Sequence, residues 1–197
     1  MGTTPAAPQV KGINCPNCGA GVELRGMGQS VSAVCVQCLS IIDTKDPNLA
    51  ILQTFESRQR IRPLIPLGTR GKLRGDAYEA IGFQARVCEV EGVEYEWREY
   101  VLFNPYKGFR YLSEYNGHWN DIVALDALPR ETTAGKFPAA IYLGKTYRHF
   151  QSVSAQTIFV MGEFPWRAKV REVAMVSDFV APPHMLSSER VENEVTW

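Results

Sequence analysis

Val93-Glu94-Tyr95-Glu96-Trp97-Arg98-Glu99-Tyr100-Val101-Leu102-Phe103 opens on a period of two, with Val93, Tyr95 and Trp97 set against Glu94, Glu96 and Arg98. Successive side chains of a strand point to opposite faces, so this alternation predicts a strand with one buried and one wet face. The reading extends outward in both directions. Upstream, residues 78–90 run into the turn signal Glu91-Gly92. Downstream, Asn104-Pro105-Tyr106-Lys107-Gly108 separates this strand from Phe109-Arg110-Tyr111-Leu112, and the hairpin dipeptide Asn116-Gly117 precedes residues 118–123. Four strands joined by short turns predict an antiparallel meander.

A second β region is expected after a loop over residues 129–137. Residues 152–161 and 170–180 flank Gly162-Glu163-Phe164-Pro165-Trp166-Arg167, and Pro182-Pro183 is expected to end the last strand. The order Gly75, Tyr78, Phe83-Gln84, Gly92, Trp97-Arg98 recurs as Gly144, Tyr147, Phe150-Gln151, Gly162, Trp166-Arg167, with drifting spacing. Duplication and coincidence both account for it. The polar tail over residues 185–197 reads as weakly helical, and Trp197 as a point of truncation.

The chain has five cysteines, and Cys15, Cys18, Cys35 and Cys38 form two C-x2-C pairs sixteen residues apart. That is the spacing of a zinc ribbon, because two residues between thiolates make a tight turn that converges the sulfurs on one tetrahedral ion. Pro16 stiffens the first turn and Gly19 suits its positive φ; the second turn has Leu39 in that place. Residues 21–24 and 31–34 are expected to pair as a hairpin across the glycine-rich Arg25-Gly26-Met27-Gly28-Gln29, carrying the two pairs together. So small a unit cannot support itself by apolar burial, so metal must supply its folding free energy, of order 10 kcal/mol. Chelation is then expected to unfold the ribbon and leave residues 67–180 folded. One structural Zn2+ per chain is the preferred occupant; a rubredoxin-like iron site and two disulfides are the competing readings. Cys88 reads as a small buried hydrophobe.

The 197 residues are 45% hydrophobic and 21% charged, with 21 Lys plus Arg balancing 21 Asp plus Glu. This composition excludes disordered and collagen-like chains. Zero net charge removes the general electrostatic case for nucleic acid or anionic membrane. No apolar run approaches the ~18 residues of a membrane span. The N-terminal residues lack the pattern of a secretory signal.

No catalytic constellation emerges, and the reading leans away from an enzyme. Gly144-Lys145-Thr146 imitates the end of a phosphate-binding loop, but the required upstream glycine is Ala139 and a strand, not a helix, follows. Glu89, Glu91, Glu94, Glu96 and Glu99 fit a solvated sheet face. His118, His149 and His184 match no motif. In the dense aromatic set from Tyr95 to Trp119 the period-two members are expected mostly to fill a core, and a remainder stacked on the sheet surface is a candidate site for a peptide or ligand. The basic residues Arg58, Arg60, Arg62, Arg70, Lys72 and Arg74 form two alternating trios, which either pair with the acidic hairpin or present a surface to an acidic partner or phosphate. The ribbon, residues 15–38, holds one Arg and one Glu, which weakens a nucleic-acid reading.

Trp97-Arg98-Glu99-Tyr100-Val101-Leu102-Phe103-Asn104-Pro105, Gly108-Phe109-Arg110-Tyr111-Leu112 and Gly117-His118-Trp119 resemble a bacterial family known only as domain of unknown function 4178. Leu67-Gly68-Thr69-Arg70-Gly71-Lys72-Leu73 and Gly162-Glu163-Phe164-Pro165-Trp166 fit it too, so the resemblance covers about residues 60–197. An N-terminal zinc ribbon is a familiar companion there. The resemblance implies a bacterial cytoplasmic module, sometimes joined to further domains or membrane segments. Its relatives tend to be encoded near polyamine-synthase-like and small membrane proteins, which implies a stress or envelope-associated role. It brings no catalytic residues, and the family pattern runs on beyond Trp197.

The expected architecture is mostly β: a four-cysteine zinc ribbon (12–43), a connector (44–66) carrying a short helix from Asp46, and an antiparallel all-β region of meanders (67–184) before the tail (185–197). The β region divides into two similar small units (67–128 and 138–184) if the echo reflects duplication. The expected function is a non-enzymatic interaction or scaffold module of a cytoplasmic or membrane-proximal complex, with another protein as partner. A nucleic-acid-associated zinc-ribbon protein and an enzyme or small-molecule sensor with a β-domain pocket are the alternatives. The partner's identity, and whether it is membrane-bound, are not legible.

Overall fold

The computed structural model describes residues 11–57 and 61–197, and among these it contains sixteen strands and no helix. In chain order they are β1 (Lys11–Asn14), β2 (Gly21–Leu24), β3 (Ser32–Val34), β4 (Ser40–Asp43), β5 (Ile51–Thr54), β6 (Arg70–Leu73), β7 (Asp76–Val90) and β8 (Val93–Asn104). There follow β9 (Gly108–Tyr115), β10 (His118–Ile122), β11 (Arg130–Ala134), β12 (Phe137–Tyr142), β13 (Lys145–Phe164), β14 (Val173–Ala181), β15 (His184–Val191) and β16 (Glu194–Thr196). The mostly β, antiparallel fold expected from the alternation is present.

Two compact units share the chain. The first comprises Met1–Ala85, Trp97–Ile122 and Ile158–Val170; the second comprises Arg86–Glu96, Val123–Thr157 and Arg171–Trp197.

In the first unit the meander β7-β8-β9-β10 forms as read, with Tyr100 opposite Leu112 and Trp119 opposite Glu114. The end of β13 lies between β7 and β3, and the sheet continues through β4 to β5. Glycine permits the close approach of β7 and β13: a Cβ on Gly82 would collide with the Glu163 carbonyl oxygen, and one on Gly162 with that of Ile81. The core gathers Phe83, Tyr100, Phe159, Phe164 and Ile41, with Phe83 and Tyr100 rings 5.1 Å apart. The Tyr100 hydroxyl accepts the Leu64 N–H at 2.8 Å, fastening the segment before β6 over the sheet. Burial in β8 begins late: Val93 and Tyr95 are exposed, whereas Tyr100 to Asn104 are buried. The alternation therefore marks a strand but not a one-sided one in its first half.

Several local expectations are overturned. Residues 21–24 do not pair with residues 31–34; β2 pairs with β1, and β3 with β4. The sequence from Asp46 forms a turn and then the strand β5, because Asp43 accepts the N–H groups of Lys45 and Asp46 and closes a turn rather than opening a helix. The tail over residues 185–197 is not helical: the Pro182-Pro183 peptide is a turn, and β15 and β16 follow it.

The second unit is an antiparallel run β11-β12-β13-β14-β15-β16. Its small core is Ala140, Tyr147, Phe179 and Leu186, with Trp197 stacked 5.6 Å from Phe179. The loop expected over residues 129–137 is instead the strand β11 and its turn into β12.

Candidate metal centre

Each cysteine pair sits in its own hairpin, between β1 and β2 and between β3 and β4, and the two turns share one hydrogen-bond pattern. Cys15 N–H donates to Ala20 O and Gly19 N–H to Cys15 O, both at 2.8 Å. Cys35 N–H donates to Ser40 O and Leu39 N–H to Cys35 O, both at 2.9 Å. The pattern requires a positive φ after the second cysteine, met by Gly19 at 76° and by Leu39 at 58°. The second turn thus forms without glycine. Leu39 is held there by packing, partly buried, against the main core cluster.

The four sulfurs lie within 4.8 Å of one another. Cys15 and Cys38 sulfurs are 3.6 Å apart, and those of Cys18 and Cys35 are 3.7 Å apart. A tetrahedral ion with bonds of ~2.3 Å spaces its sulfurs by ~3.8 Å, whereas a disulfide needs ~2.05 Å. The geometry is that of a site able to hold a metal ion. Cys15 and Cys35, the first of each pair, are buried with Val22, Leu24, Ala33 and Ile42. Cys18 is exposed and Cys38 half-buried.

Crowding in the cluster drives the acidities of Cys18 and Cys38 apart. The Ala20 backbone hydrogen bond favours the Cys18 thiolate, but the neighbouring thiols, Cys38 foremost, outweigh it and push it up to about 12. Burial pushes Cys15 up. Cys38 falls to about 6, chiefly through the Ser40 hydroxyl. Ser40 Oγ lies 3.2 Å from Cys38 Sγ, accepts Asn17 Nδ2 at 3.0 Å, and is 3.0 Å from Thr54 Oγ1. A fully buried serine on one turn therefore ties both turns to the Cys38 sulfur.

The ribbon is not autonomous. The expectation that chelation unfolds it and leaves all of residues 67–180 intact therefore gives way to one in which the end of β13 shares its fate. Ala33 of β3 pairs with Glu163 of β13, and Val31 N–H donates to Phe164 O at 2.8 Å. Glu163, 2% exposed, turns its carboxylate back onto the ribbon, accepting Arg25 N–H at 2.5 Å, Gly26 N–H at 3.0 Å and the Ser30 hydroxyl at 2.7 Å. The exchange is reciprocal. Ser32 Oγ donates to Trp166 O at 2.7 Å and accepts Ala168 N–H at 3.1 Å. The Gln53 amide accepts Val170 N–H at 2.9 Å and donates to Val170 O at 3.2 Å. Phe55, just after β5, packs on Phe159.

The residues beyond the ribbon match a family model described as Domain of unknown function (DUF4178), over residues 66–197. The chain belongs to that family. The cysteine turns lie outside the matched span, while β13, which receives them, lies inside the DUF4178 domain. No curated protein and no solved structure matches the chain.

Of the six basic residues, Arg70 and Lys72 lie on β6 and Arg74 in the turn that follows it. Arg70 pairs with Glu79 at 2.8 Å, and Glu79 also takes Arg25 at 2.6 Å. Arg74 and Arg110 share Asp121, each at 2.5 Å. Lys72 and Arg62 are exposed, and Arg58 and Arg60 lie outside the described residues. The partners Glu79 and Asp121 are not the hairpin acids; Glu89, Glu91, Glu94 and Glu96 face solvent. Glu99 is turned inward and accepts Trp97 Nε1 at 2.6 Å and Gln84 Nε2 at 2.5 Å. Cys88 is half-buried, and burial pushes its thiol up. His118 and His184 are exposed, and His149 meets Ser152 at 2.8 Å. Sequence reasoning did not find Glu163, Ser40, Ser32 or Gln53. Glu163 does sit in the family phrase Gly162-Glu163-Phe164-Pro165-Trp166, and Ser40 follows Cys38 by two, but neither signal names a role.

Proposed function

We propose that the chain is a non-enzymatic interaction module of a reducing, cytoplasmic compartment, in which one structural Zn2+ fixes the ribbon against the DUF4178 domain. The sulfur spacing of 3.6 and 3.7 Å carries the reading, because it suits one ion and is far from disulfide length. The four-thiolate set and its tetrahedral spacing suit zinc and disfavour hard, oxygen-seeking ions, with iron the competing occupant. Four protein ligands leave no open coordination position, which supports a shape-giving rather than a catalytic metal. A reducing compartment keeps such thiols available to metal. The partner is taken to be another protein, and the near absence of charge on the ribbon argues against nucleic acid.

Elemental analysis of protein purified without chelator tests the metal: the expected result is one zinc per chain. Iron in its place, or oxidised and metal-free cysteines, contradicts the reading. Affinity capture with the zinc-loaded chain, compared with a Cys18→Ser, Cys38→Ser variant, tests the interaction: a protein retained by the first and lost by the second supports it, and equal capture contradicts it.

A further inference from the structure

One end of the second unit gathers exposed apolar and basic side chains. Tyr142 pairs with Lys145, so Leu143-Gly144 is a two-residue turn, with φ of 49° and 76°. Such turns favour Asn, Asp or Gly at the first position. The comparable tips Arg74-Gly75, Glu91-Gly92 and Asn116-Gly117 carry polar residues there, at φ between 49° and 52°. Leu143 adopts the same left-handed conformation and is 85% exposed. It bears an unfavourable backbone and an apolar side chain in water at once, and no packing offsets either.

Register gathers more of the same at this end. Arg130 pairs with Ile141, which places Leu128, 80% exposed, just beyond the start of β11 and beside the tip. Ala181 pairs with His184 around the exposed Pro182-Pro183 turn, next to Met185, which is 51% exposed. Lys145 Nζ donates to Ala181 O at 2.8 Å, joining the two turns. Arg130, Lys145, Arg148 and His184 are exposed here, and none of them makes an ion pair among the described residues. The acids nearest in sequence are Asp126 and Glu131.

We propose that this end of the second unit docks onto an anionic lipid surface, with Leu143 and Leu128 entering the acyl boundary and Arg130, Lys145 and Arg148 reaching the phosphates. Apolar tips ringed by cations on long stems are suited to the membrane interface. A second copy is a poorer occupant, because a two-fold contact would bring the same cations face to face. The proposal stands on the second unit alone and does not depend on the metal.

Vesicle co-sedimentation tests it, using phosphatidylcholine against mixed phosphatidylcholine and phosphatidylglycerol, with the full chain. Binding is expected to the mixed vesicles, to weaken with salt, and to fall at least about ten-fold in Leu143→Asn, the change that burial of one leucine corresponds to. Because Asn suits the turn, that variant should melt no lower than the parent, which separates lost docking from lost folding. Absence of binding to the mixed vesicles, equal binding by Leu143→Asn, or a lower melting temperature for it overturns the proposal. So does a dimer in solution that Leu143→Asn converts to a monomer.

Discussion

Glu163 on β13 and Ser30 in the ribbon meet through a 2.7 Å hydrogen bond in a site closed to solvent, 133 residues apart in sequence. The same carboxylate takes the Arg25 and Gly26 N–H groups, so one side chain of the DUF4178 domain satisfies three donors of the ribbon. This latch makes the metal centre part of the first unit's structure rather than an appendage to it.

Glu163→Ala leaves three donors without their acceptor and should destabilise the first unit by about 3 kcal/mol, since buried unsatisfied polar groups cost ~1–3 kcal/mol. Glu163→Gln keeps one acceptor oxygen and should lose about half as much. Urea unfolding followed by tryptophan fluorescence measures both. An effect within ~0.5 kcal/mol for the alanine variant, the range of ordinary surface changes, contradicts the latch.

Leu39 inverts a usual rank order. At φ 58° its backbone is unfavourable, and core packing offsets the cost. Leu39→Gly loses the packing but gains ~1 kcal/mol or more of backbone relief, whereas Leu39→Ala loses the packing and keeps the strain. The glycine variant should therefore be the more stable of the two, by about 1 kcal/mol. Equal stabilities, or the opposite order, show that the left-handed turn is absent.

Ser40→Ala removes the hydroxyl that favours charge on Cys38 and that joins Asn17 to the second turn. Residues supporting metal ligands typically change affinity ~10–100-fold, so zinc affinity measured by competition with a chelating dye should fall at least about ten-fold. Unchanged affinity removes Ser40 from the centre.

Acid should act through two carboxylates of the meander. Arg110, then Arg74, hold Asp121 below its ordinary 3.8. The Gly117 N–H, then Arg98, hold Glu114 below 4.5. Both values are depressed in the folded state. Their contribution is therefore full above the unfolded values and is lost as pH falls through the folded ones. The contribution of these two carboxylates should be constant above about pH 5 and shrink below about pH 4. It is read as the difference in melting temperature between the parent and Asp121→Asn, because the cysteine centre adds its own loss as its thiolates protonate. Asp121→Asn should melt lower than the parent at neutral pH and show a shallower acid fall; parallel curves contradict the assignment.

Local signals made much of this legible. The X-Gly tips and the alternating strands on either side placed β7 to β10 almost residue by residue, and the C-x2-C spacing found the sulfurs. What failed was pairing between distant segments. Residues 21–24 and 31–34 look like hairpin partners because only a glycine-rich stretch separates them. Each instead takes a partner across a cysteine turn, and β3 adds β13 from beyond residue 160. Glu163 gave no sign of its role because a carboxylate in a strand reads as solvated until the chain that buries it is known. The tail failed for a similar reason: Pro182-Pro183 reads as an end, whereas a turn at that point lets β15 return along β14.

The central claim is that the cysteine centre and β13 form one cooperative structure. Amide hydrogen exchange with and without a zinc chelator tests it most directly. On chelation, protection should fall together in β2 to β4 and in the stretch Ile158–Phe164, where Val31, Ala33 and the Glu163 carboxylate bind ribbon to sheet. Loss confined to the ribbon, with Ile158–Phe164 as protected as before, would contradict the account.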